Sequence, residues 1–215
     1  MRYKLRDYQQ QCANIAIEHL RNYGKPFIIQ AATGAGKSLI IAEICHQINE
    51  PILILQPSKE ILEQNYNKLL SYGITDVSMY SASMNSKEIA KFTYATIGSI
   101  YKKPELFQHF KYVIIDECHG VNPRDLSTMY STFLDAINCK NVCGLTATPY
   151  RIQQSYIKQG NDLFYTAVLK MINRIAQKKN GGWSTFWKNI VYKIETADLI
   201  EQGYLCPIKY FSESM

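Results

Sequence analysis

Short apolar runs alternate with longer amphipathic stretches over the first 150 residues of the chain. The runs have the length of buried strands. They are 27–30, 52–55, 77–80, 92–96, 112–116 and 142–146. Between them, apolar residues recur three or four positions apart, as on the buried face of a helix. This alternation predicts an open α/β fold, with a mostly parallel sheet and helices on both of its faces.

Helix-start and helix-stop residues bound the stretches between the strands. The first helix is expected to begin near Asp7 and to end before Gly24. Ser58 is an N-cap candidate for the helix after the second strand, since a serine hydroxyl accepts a hydrogen bond from a free amide of the first turn. Pro123 is expected to open a helix that runs to Ile137, because proline fits the first turn of a helix.

Residues 151–193 differ in composition from the preceding 150. Apolar residues at 163, 164, 167, 168, 171, 172 and 175 recur at helical spacing, which predicts a helix with one apolar face. Residues 194–215 are expected to form a short helix capped by Thr196, followed by a strand at 208–211. The chain therefore divides into residues 1–150, a basic helical insertion at 151–193, and a C-terminal helix and strand at 194–215.

Composition narrows the class of protein. Apolar residues make up 47% and charged residues 20% of the 215 residues, which is typical of a soluble globular protein. No apolar run approaches the roughly 18 to 20 residues of a membrane span, and the N-terminus does not resemble a secretory signal. None of the six cysteines forms a CxxC pair, so we expect reduced thiols in a cytoplasmic protein with no membrane partner.

The net charge of +6 is distributed unevenly along the sequence. Residues 1–150 carry +2, residues 151–193 carry +7, and residues 194–215 carry −3. A nearly neutral body with one basic segment indicates an acidic partner such as a nucleic acid.

A phosphate-binding pattern follows the first predicted strand and opens the next helix. Residues 31–38 read Ala-Ala-Thr-Gly-Ala-Gly-Lys-Ser, which matches a P-loop except that Ala31 replaces the first glycine. Thr33, Gly34, Ala35 and Gly36 form the loop whose backbone amides converge on phosphates. Lys37 would bind the β- and γ-phosphates of ATP, and Ser38 would offer its hydroxyl to Mg²⁺. A chance strand–turn–helix connection of this composition is the less favoured interpretation.

Two carboxylates end the fifth predicted strand. Asp116 is a candidate to hold Mg²⁺, and Glu117 is a candidate to polarise the water that attacks the γ-phosphate. Two neighbouring carboxylates also occur at plain exposed strand ends, but the presence of a P-loop favours the catalytic interpretation. His119 is expected to link the nucleotide site to a nucleic acid, with a surface histidine as the alternative.

In this order, the motifs resemble those of superfamily-two helicases and translocases. Residues 116–119 read Asp-Glu-Cys-His, a variant of the DExH box, and residues 144–149 read Gly-Leu-Thr-Ala-Thr-Pro, similar to the family's third motif. The closest resemblance is to RadD-type DNA repair helicases, based on the DECH box, on residues 144–151 and on residues 201–207. The resemblance implies that residues 1–150 form a RecA-like ATP-binding domain.

The resemblance also implies roles for residues outside the two phosphate motifs. Gln9 stands at the adenine-contacting position, and Arg6 is expected to frame that pocket. Thr146 and Thr148 are expected to couple ATP hydrolysis to strand engagement. The family grips the nucleic-acid backbone at positions that correspond here to Pro57, Ser58, Lys59, Thr96 and Ser99. Gly98 stands where many members carry glutamine.

The basic segment is a second candidate for nucleic-acid contact. Its cations attract phosphate, and exposed aromatic side chains can stack on bases. The residues selected for this role are Lys178, Lys179, Trp183 and Lys188. The alternative is a docked helix with buried aromatic residues and solvated lysines, and the sequence leaves both open.

Together these features predict the ATP-binding half of an ATP-dependent nucleic-acid motor, most specifically a DNA helicase acting on single-stranded or branched DNA. An RNA helicase and a duplex DNA translocase are alternatives within the same class. A non-catalytic nucleotide-binding scaffold is the alternative from another class. The resemblance implies a second RecA-like domain in the full-length protein, and the fragment alone is expected to hydrolyse ATP poorly.

Overall fold

The computed structural model describes residues 3–121, 128–159, 162–179 and 182–207. Its main sheet has eight strands. They are β1 (Phe27–Ala31), β2 (Ile52–Gln56), β3 (Val77–Ser81), β4 (Ser86–Lys87), β5 (Phe92–Thr96), β6 (Tyr112–Asp116), β7 (Asn141–Thr146) and β12 (Ile190–Ile194). Four further strands form two separate hairpins. They are β8 (Tyr150–Gln159), β9 (Asp162–Met171), β10 (Ala176–Lys179) and β11 (Gly182–Thr185).

Six α-helices accompany the strands within the described residues. They are α1 (Asp7–Asn22), α2 (Lys37–Ile48), α3 (Lys59–Ser71), α4 (Ile97–Ile100), α5 (Met129–Ala136) and α6 (Thr196–Glu201). None of them is long and apolar enough to cross a membrane. The N-cap role of Ser58 is confirmed, because its hydroxyl accepts a hydrogen bond from the amide of Ile61. The expected helix start at Pro123 and the expected strand at 208–211 lie outside the described residues.

The sheet order is β12-β1-β7-β6-β2-β5-β3-β4. All neighbours pair in parallel except β3 and β4. The central strands β1, β2 and β6 are buried along their whole length, as expected when helices cover both faces. The predicted α/β fold with a mostly parallel sheet is thus confirmed.

Two hydrophobic cores lie on opposite faces of the sheet. One core includes Leu20 of α1, Ile40 of α2 and Leu62 of α3. The other includes Phe133 of α5 and the fully buried Trp187, which follows the second hairpin. The region after residue 150 therefore shares the second core with the main body.

The prediction of a helix in the basic segment is wrong. Residues 150–159 and 162–171 form the antiparallel hairpin β8–β9, in which Tyr156 lies opposite Tyr165 and Ile157 opposite Phe164. Aromatic and β-branched residues favour such cross-strand pairs over a helix. A second antiparallel hairpin, β10–β11, follows.

The main sheet also extends further along the chain than predicted. Strand β12 pairs in parallel with β1 at the edge of the sheet, within a segment that the sequence assigned largely to the insertion. The amide of Lys188 donates to the carbonyl of Pro26 at 2.9 Å, and the amide of Ile28 donates to the carbonyl of Asn189 at 2.8 Å. These bonds return the chain to the edge of β1 after the two hairpins.

Candidate functional site

The loop between β1 and α2 has the backbone shape that its glycines permit. Gly34 and Gly36 adopt φ of 86° and 80°, a left-handed conformation that residues with a Cβ rarely take. Gly36 also lies so close to Gln9 that an added Cβ would be 2.5 Å from its side-chain nitrogen. Thr33 and Gly34 are exposed and Ala35 is buried, so the loop presents its outer turn to solvent. The N-terminus of α2 lies directly behind this turn, where a helix favours an anion.

Lys37 and the two carboxylates meet at the carboxyl edge of the sheet. The Lys37 Nζ lies 2.7 Å from Glu117 Oε1, and both side chains remain partly accessible. Glu117 adopts a left-handed conformation, φ 48° and ψ 48°, directly after β6. Backbone strain of this kind in a non-glycine residue is concentrated at functional sites. The ion pair joins the two motifs that the sequence predicted to act together.

Asp116 lies deeper than Glu117 and is only 5% exposed. Its Oδ1 accepts a hydrogen bond from the Glu117 amide at 3.0 Å. Burial raises the pKa of Asp116, and the charge of Glu117 adds to this rise, whereas Lys37 lowers the pKa. Burial thus disfavours the ionised carboxylate, and a nearby cation would stabilise it.

A cavity of about 460 Å³ opens between the loop and the strand end. It is lined by Thr33, Gly34, Gly36, Lys37, Ser38, Asp116 and Glu117, together with α3 residues Ile61, Gln64, Asn65 and Lys68. Sequence reasoning missed the contribution of α3. The spacing of three and four along that helix was the available signal, because such residues share one face.

His119, Thr146 and Glu117 form a connected polar cluster. His119 Nδ1 lies 2.8 Å from Thr146 Oγ1 and 3.3 Å from Glu117 Oε2. Thr146 Oγ1 also donates to Glu117 Oε2 at 3.5 Å and accepts from the Thr148 amide at 3.1 Å. The end of β7 is therefore bonded directly to the carboxylate predicted to polarise water.

The N-terminal residues Arg6 and Gln9 lie beside the loop. The Gln9 side chain is 4% exposed, donates to the Ala35 carbonyl at 3.0 Å and accepts from the Arg6 amide at 3.0 Å. The Arg6 guanidinium lies 4.3 Å from the centre of the Tyr204 ring. Tyr204 was not predicted as a site residue. It follows α6, and only the folded chain brings it beside Arg6 and Tyr8.

The hydroxyls proposed to grip a nucleic-acid backbone are engaged locally. The Ser58 hydroxyl caps α3. The hydroxyl oxygens of Thr96 and Ser99 lie 2.8 Å apart, within hydrogen-bond distance of each other. Ser99 also accepts from the Ala82 amide at 3.0 Å. Pro57 and Lys59 are exposed at the end of β2, on the same edge of the sheet as the cavity. Their role in nucleic-acid binding stays a prediction.

The remaining nucleic-acid candidates lie in or after the second hairpin. The backbone places Lys178 opposite Trp183 in the β10–β11 pair, with Lys179 beside it in β10. The side chains of these three residues lie outside the described part of the molecule. Lys188 is exposed, and its ammonium bonds the Thr185 carbonyl.

The fold is similar to those of two solved helicases and a restriction-modification enzyme. The T4 bacteriophage helicase UvsW is 23% identical with a TM-score of 0.56, over 69% of this chain and 54% of that one. The Type ISP restriction-modification enzyme LlaBIII, solved bound to DNA, is 18% identical with a TM-score of 0.62, over 94% of this chain and 16% of that one. A hypothetical ATP-dependent RNA helicase from Sulfolobus tokodaii is 21% identical with a TM-score of 0.54, over 69% and 48% of the two chains.

These likenesses establish a shared fold, and the chain spans about half or less of the length of these three proteins. No curated protein sequence matches the chain. The family model described as "Type III restriction enzyme, res subunit" matches residues 2–151, which include the loop, the carboxylates and the end of β7. Because this match spans well over half of the sequence, the chain belongs to the family of the type III restriction enzyme res subunit.

Proposed function

We propose that this chain is the ATP-binding part of an ATP-dependent nucleic-acid motor, and more specifically of a DNA helicase. One observation carries the proposal: Lys37 and the Asp116–Glu117 pair meet across a cavity at the carboxyl edge of one sheet. In open α/β folds, ligands bind at this edge. Membership in the restriction-enzyme family and the helicase fold support the same function.

The groups at the cavity suit a magnesium–nucleotide complex. Ser38 contributes a hydroxyl oxygen and Asp116 a carboxylate, which are the hard oxygen ligands that Mg²⁺ prefers. Bound there, Mg²⁺ would neutralise charge on the β- and γ-phosphates. The burial of Asp116 and its raised pKa fit a carboxylate that is stabilised by an incoming cation.

Lys37 and Glu117 would exchange partners when ATP binds. In the structure, the Lys37 ammonium forms an ion pair with Glu117 at 2.7 Å. A γ-phosphate would attract Lys37 and leave the Glu117 carboxylate to accept a proton from the attacking water. His119 and Thr146 contact the same carboxylate, and Thr146 is bonded to the Thr148 amide. A movement of Glu117 would therefore shift Thr148 and the backbone that follows β7. This exchange assigns catalysis to Lys37, Asp116 and Glu117, and coupling to His119, Thr146 and Thr148.

Nucleic acid would lie across the carboxyl edge of the sheet and the basic segment after it. Residues 151–193 carry eight basic residues and one acidic residue. Phosphate contacts from such a segment give affinity with little sequence preference. LlaBIII, which shares the fold, was solved bound to DNA, and this favours DNA as the polymer. The proposal includes a second RecA-like domain in the full-length protein. It also includes a relationship to RadD-type DNA repair helicases.

Nucleic-acid stimulation of ATP hydrolysis tests the function in the full-length protein. Phosphate release is measured with single-stranded, duplex and branched DNA and with RNA, and Lys37→Ala sets the background. We expect single-stranded or branched DNA to stimulate phosphate release more strongly than duplex DNA or RNA does. Stronger stimulation by RNA or by duplex DNA would replace the helicase proposal with an RNA helicase or a duplex translocase. ATP binding without hydrolysis under all conditions would indicate the scaffold.

A further inference from the structure

Asn65 of α3 bridges the two groups proposed to hold the metal. Its Oδ1 lies 2.6 Å from the Ser38 hydroxyl, and its Nδ2 lies 3.4 Å from Asp116 Oδ2. Asn65 is 7% exposed and lines the same cavity as both partners. Asn65 belongs to α3, outside both the P-loop and the acidic strand end, but it contacts one residue of each.

The chemistry of the partners fixes the orientation of this amide. An ionised carboxylate can only accept hydrogen bonds, so the NH₂ group of Asn65 must face Asp116. The carbonyl oxygen of Asn65 then faces Ser38 and accepts a hydrogen bond from its hydroxyl. A hydroxyl has one proton and two lone pairs, so this bond leaves both lone pairs of Ser38 available to a cation.

Gln56 is a second buried amide near Asp116. Its side chain is fully buried at the end of β2, and neither its nitrogen nor its oxygen has a hydrogen-bond partner among the described residues. It lies close enough to Asp116 to lower the pKa of that carboxyl, against the larger effect of burial. Buried amides without partners are costly in a folded protein. Of the two amides, Asn65 is the one that is bonded to both proposed ligands.

We propose that Asn65 is a positioning residue of the metal site: it holds Ser38 with its lone pairs free and Asp116 in a fixed orientation, so that both oxygens are set for Mg²⁺ before the nucleotide arrives. This inference rests on the proposed function. Groups that orient metal ligands commonly change metal affinity by about 10- to 100-fold when they are removed. Asn65 has no hydrogen bond to Lys37 or to the loop amides that would hold the phosphates, so its effect should be confined to the metal.

The test separates metal-dependent from metal-independent nucleotide binding. Binding of a fluorescent ATP analogue to the full-length protein is measured across a Mg²⁺ titration and in excess EDTA. Asn65→Leu replaces the amide with an apolar side chain of similar size. Asn67→Leu makes the same change at an exposed position of α3 and serves as the matched control.

We expect Asn65→Leu to raise the Mg²⁺ concentration for half-maximal binding by about tenfold or more, at the lower end of the range for such groups. Binding in EDTA should change by less than about twofold, and Asn67→Leu should match the wild type in both conditions. An unchanged Mg²⁺ titration would overturn the inference. So would an equal loss in EDTA, because that result would indicate damage to the whole pocket.

A double mutant asks whether Asn65 acts through Ser38. If it does, Asn65→Leu should raise the Mg²⁺ concentration for half-maximal binding by less in a Ser38→Ala background than in the wild type, because the part of its effect that passes through Ser38 is already lost and only the part through Asp116 is left. Additive losses would contradict the mechanism. Should Asn65→Leu fail to fold, Asn65→Ala removes the amide with less bulk and carries the same expectations. Nucleotide binding that shows no Mg²⁺ dependence in the wild type would instead refute the proposed function.

Discussion

The cavity edge of the sheet buries charged side chains, whereas the first hairpin, β8–β9, exposes apolar side chains. At the edge, charged side chains are partly or fully buried and bonded to one another, as with Lys37 and Glu117 at 2.7 Å. On β8–β9, apolar side chains face solvent: Ile152 is 73% and Leu169 64% exposed, and the two lie opposite each other. The first arrangement suits a small anion held by preset groups. The second, within a segment of charge +7, suits an extended partner.

The two regions are joined behind the acidic strand end. The Arg151 guanidinium, at the start of β8, donates to the carbonyls of His119 and Gly120 at 2.9 and 3.3 Å. Trp187 packs so closely on β7 that a Cβ added to Gly144 would lie 2.6 Å from its ring and 2.7 Å from the sulfur of Cys118. Residues at both ends of the hairpin region, Arg151 and Trp187, therefore lie close to the segment that follows Asp116. Variants in each region and at this junction should differ in the property that they change.

The largest effect is expected at the cavity edge. Lys37→Ala removes the cation proposed to bind the β- and γ-phosphates, so ATP hydrolysis should fall by about 10²- to 10³-fold, as when one preset charge-stabilising group is removed. The measurement is phosphate release by the full-length protein at saturating ATP. Lys87→Ala, at an exposed residue of β4, is the control and should retain full activity. A fall of less than about tenfold in Lys37→Ala would argue against a nucleotide at this loop.

The junction should be the next most sensitive point. Gly144→Ala forces a methyl group against Trp187 and Cys118, both buried, and should destabilise the fold by about 1–3 kcal/mol, the usual cost of overpacking. Urea unfolding measures this cost. Gly98→Ala is the matched control, because nothing lies within 4 Å of an added Cβ there and the residue is helical. Equal stability of the two variants would show that the junction is loosely packed.

The basic segment, residues 151–193, should govern nucleic-acid affinity but not basal hydrolysis. Reversing the charges of Lys178, Lys179 and Lys188 to glutamate should weaken nucleic-acid binding by about tenfold, and the slope of log affinity against log salt should become shallower by about 0.7 to 0.9 for each phosphate that these lysines no longer neutralise. Titrations at several salt concentrations give both quantities. The same reversal at three exposed lysines of the main body is the control; these are Lys25, Lys87 and Lys140. Identical effects of the two triple variants would show that only the net charge of the protein, and not the position of these lysines in the basic segment, affects binding.

The smallest effect concerns the pH dependence of stability. Burial raises the pKa of Asp116 above its usual 3.8, so the folded protein binds this proton more tightly than the unfolded chain. The stability that this proton contributes is present below pH 3.8 and is lost as pH rises through the folded pKa. Asp116→Asn cannot lose the proton, so the variant should gain stability relative to the wild type at neutral pH, by a few degrees in Tm at most. Thermal unfolding at acidic and neutral pH tests this. A relative loss at neutral pH would show that the carboxylate is stabilising.

The sequence predicted the cavity edge well because chemistry constrains it. A glycine-rich loop between strand and helix and a carboxylate pair at a strand end are recognisable in order, and parallel strands bring their carboxyl ends to one edge. Their contact, Lys37 with Glu117, followed from that topology. Asn65 did not, because an asparagine on a helix has no motif and gains its meaning only from the two side chains it meets.

The hairpins were wrongly predicted because apolar residues three and four apart occur in strands as well as in helices. The better signal was in the residues between the strands. Gly160-Asn161 separates β8 from β9, and Asn180-Gly181 separates β10 from β11. Two-residue connections of this composition are typical of tight hairpins. The place of β12 in the main sheet carried no such signal, because only the return of the chain past Trp187 brings it to β1.

The most direct test of the central claim is an experimental structure of the full-length protein with Mg²⁺ and a non-hydrolysable ATP analogue. We predict the β- and γ-phosphates in the cavity between Gly34–Ser38 and Asp116, with Lys37 Nζ moved from Glu117 to the phosphates and the metal between Ser38 and Asp116. A nucleotide bound elsewhere, or one bound here with the Lys37–Glu117 ion pair intact, would contradict the account.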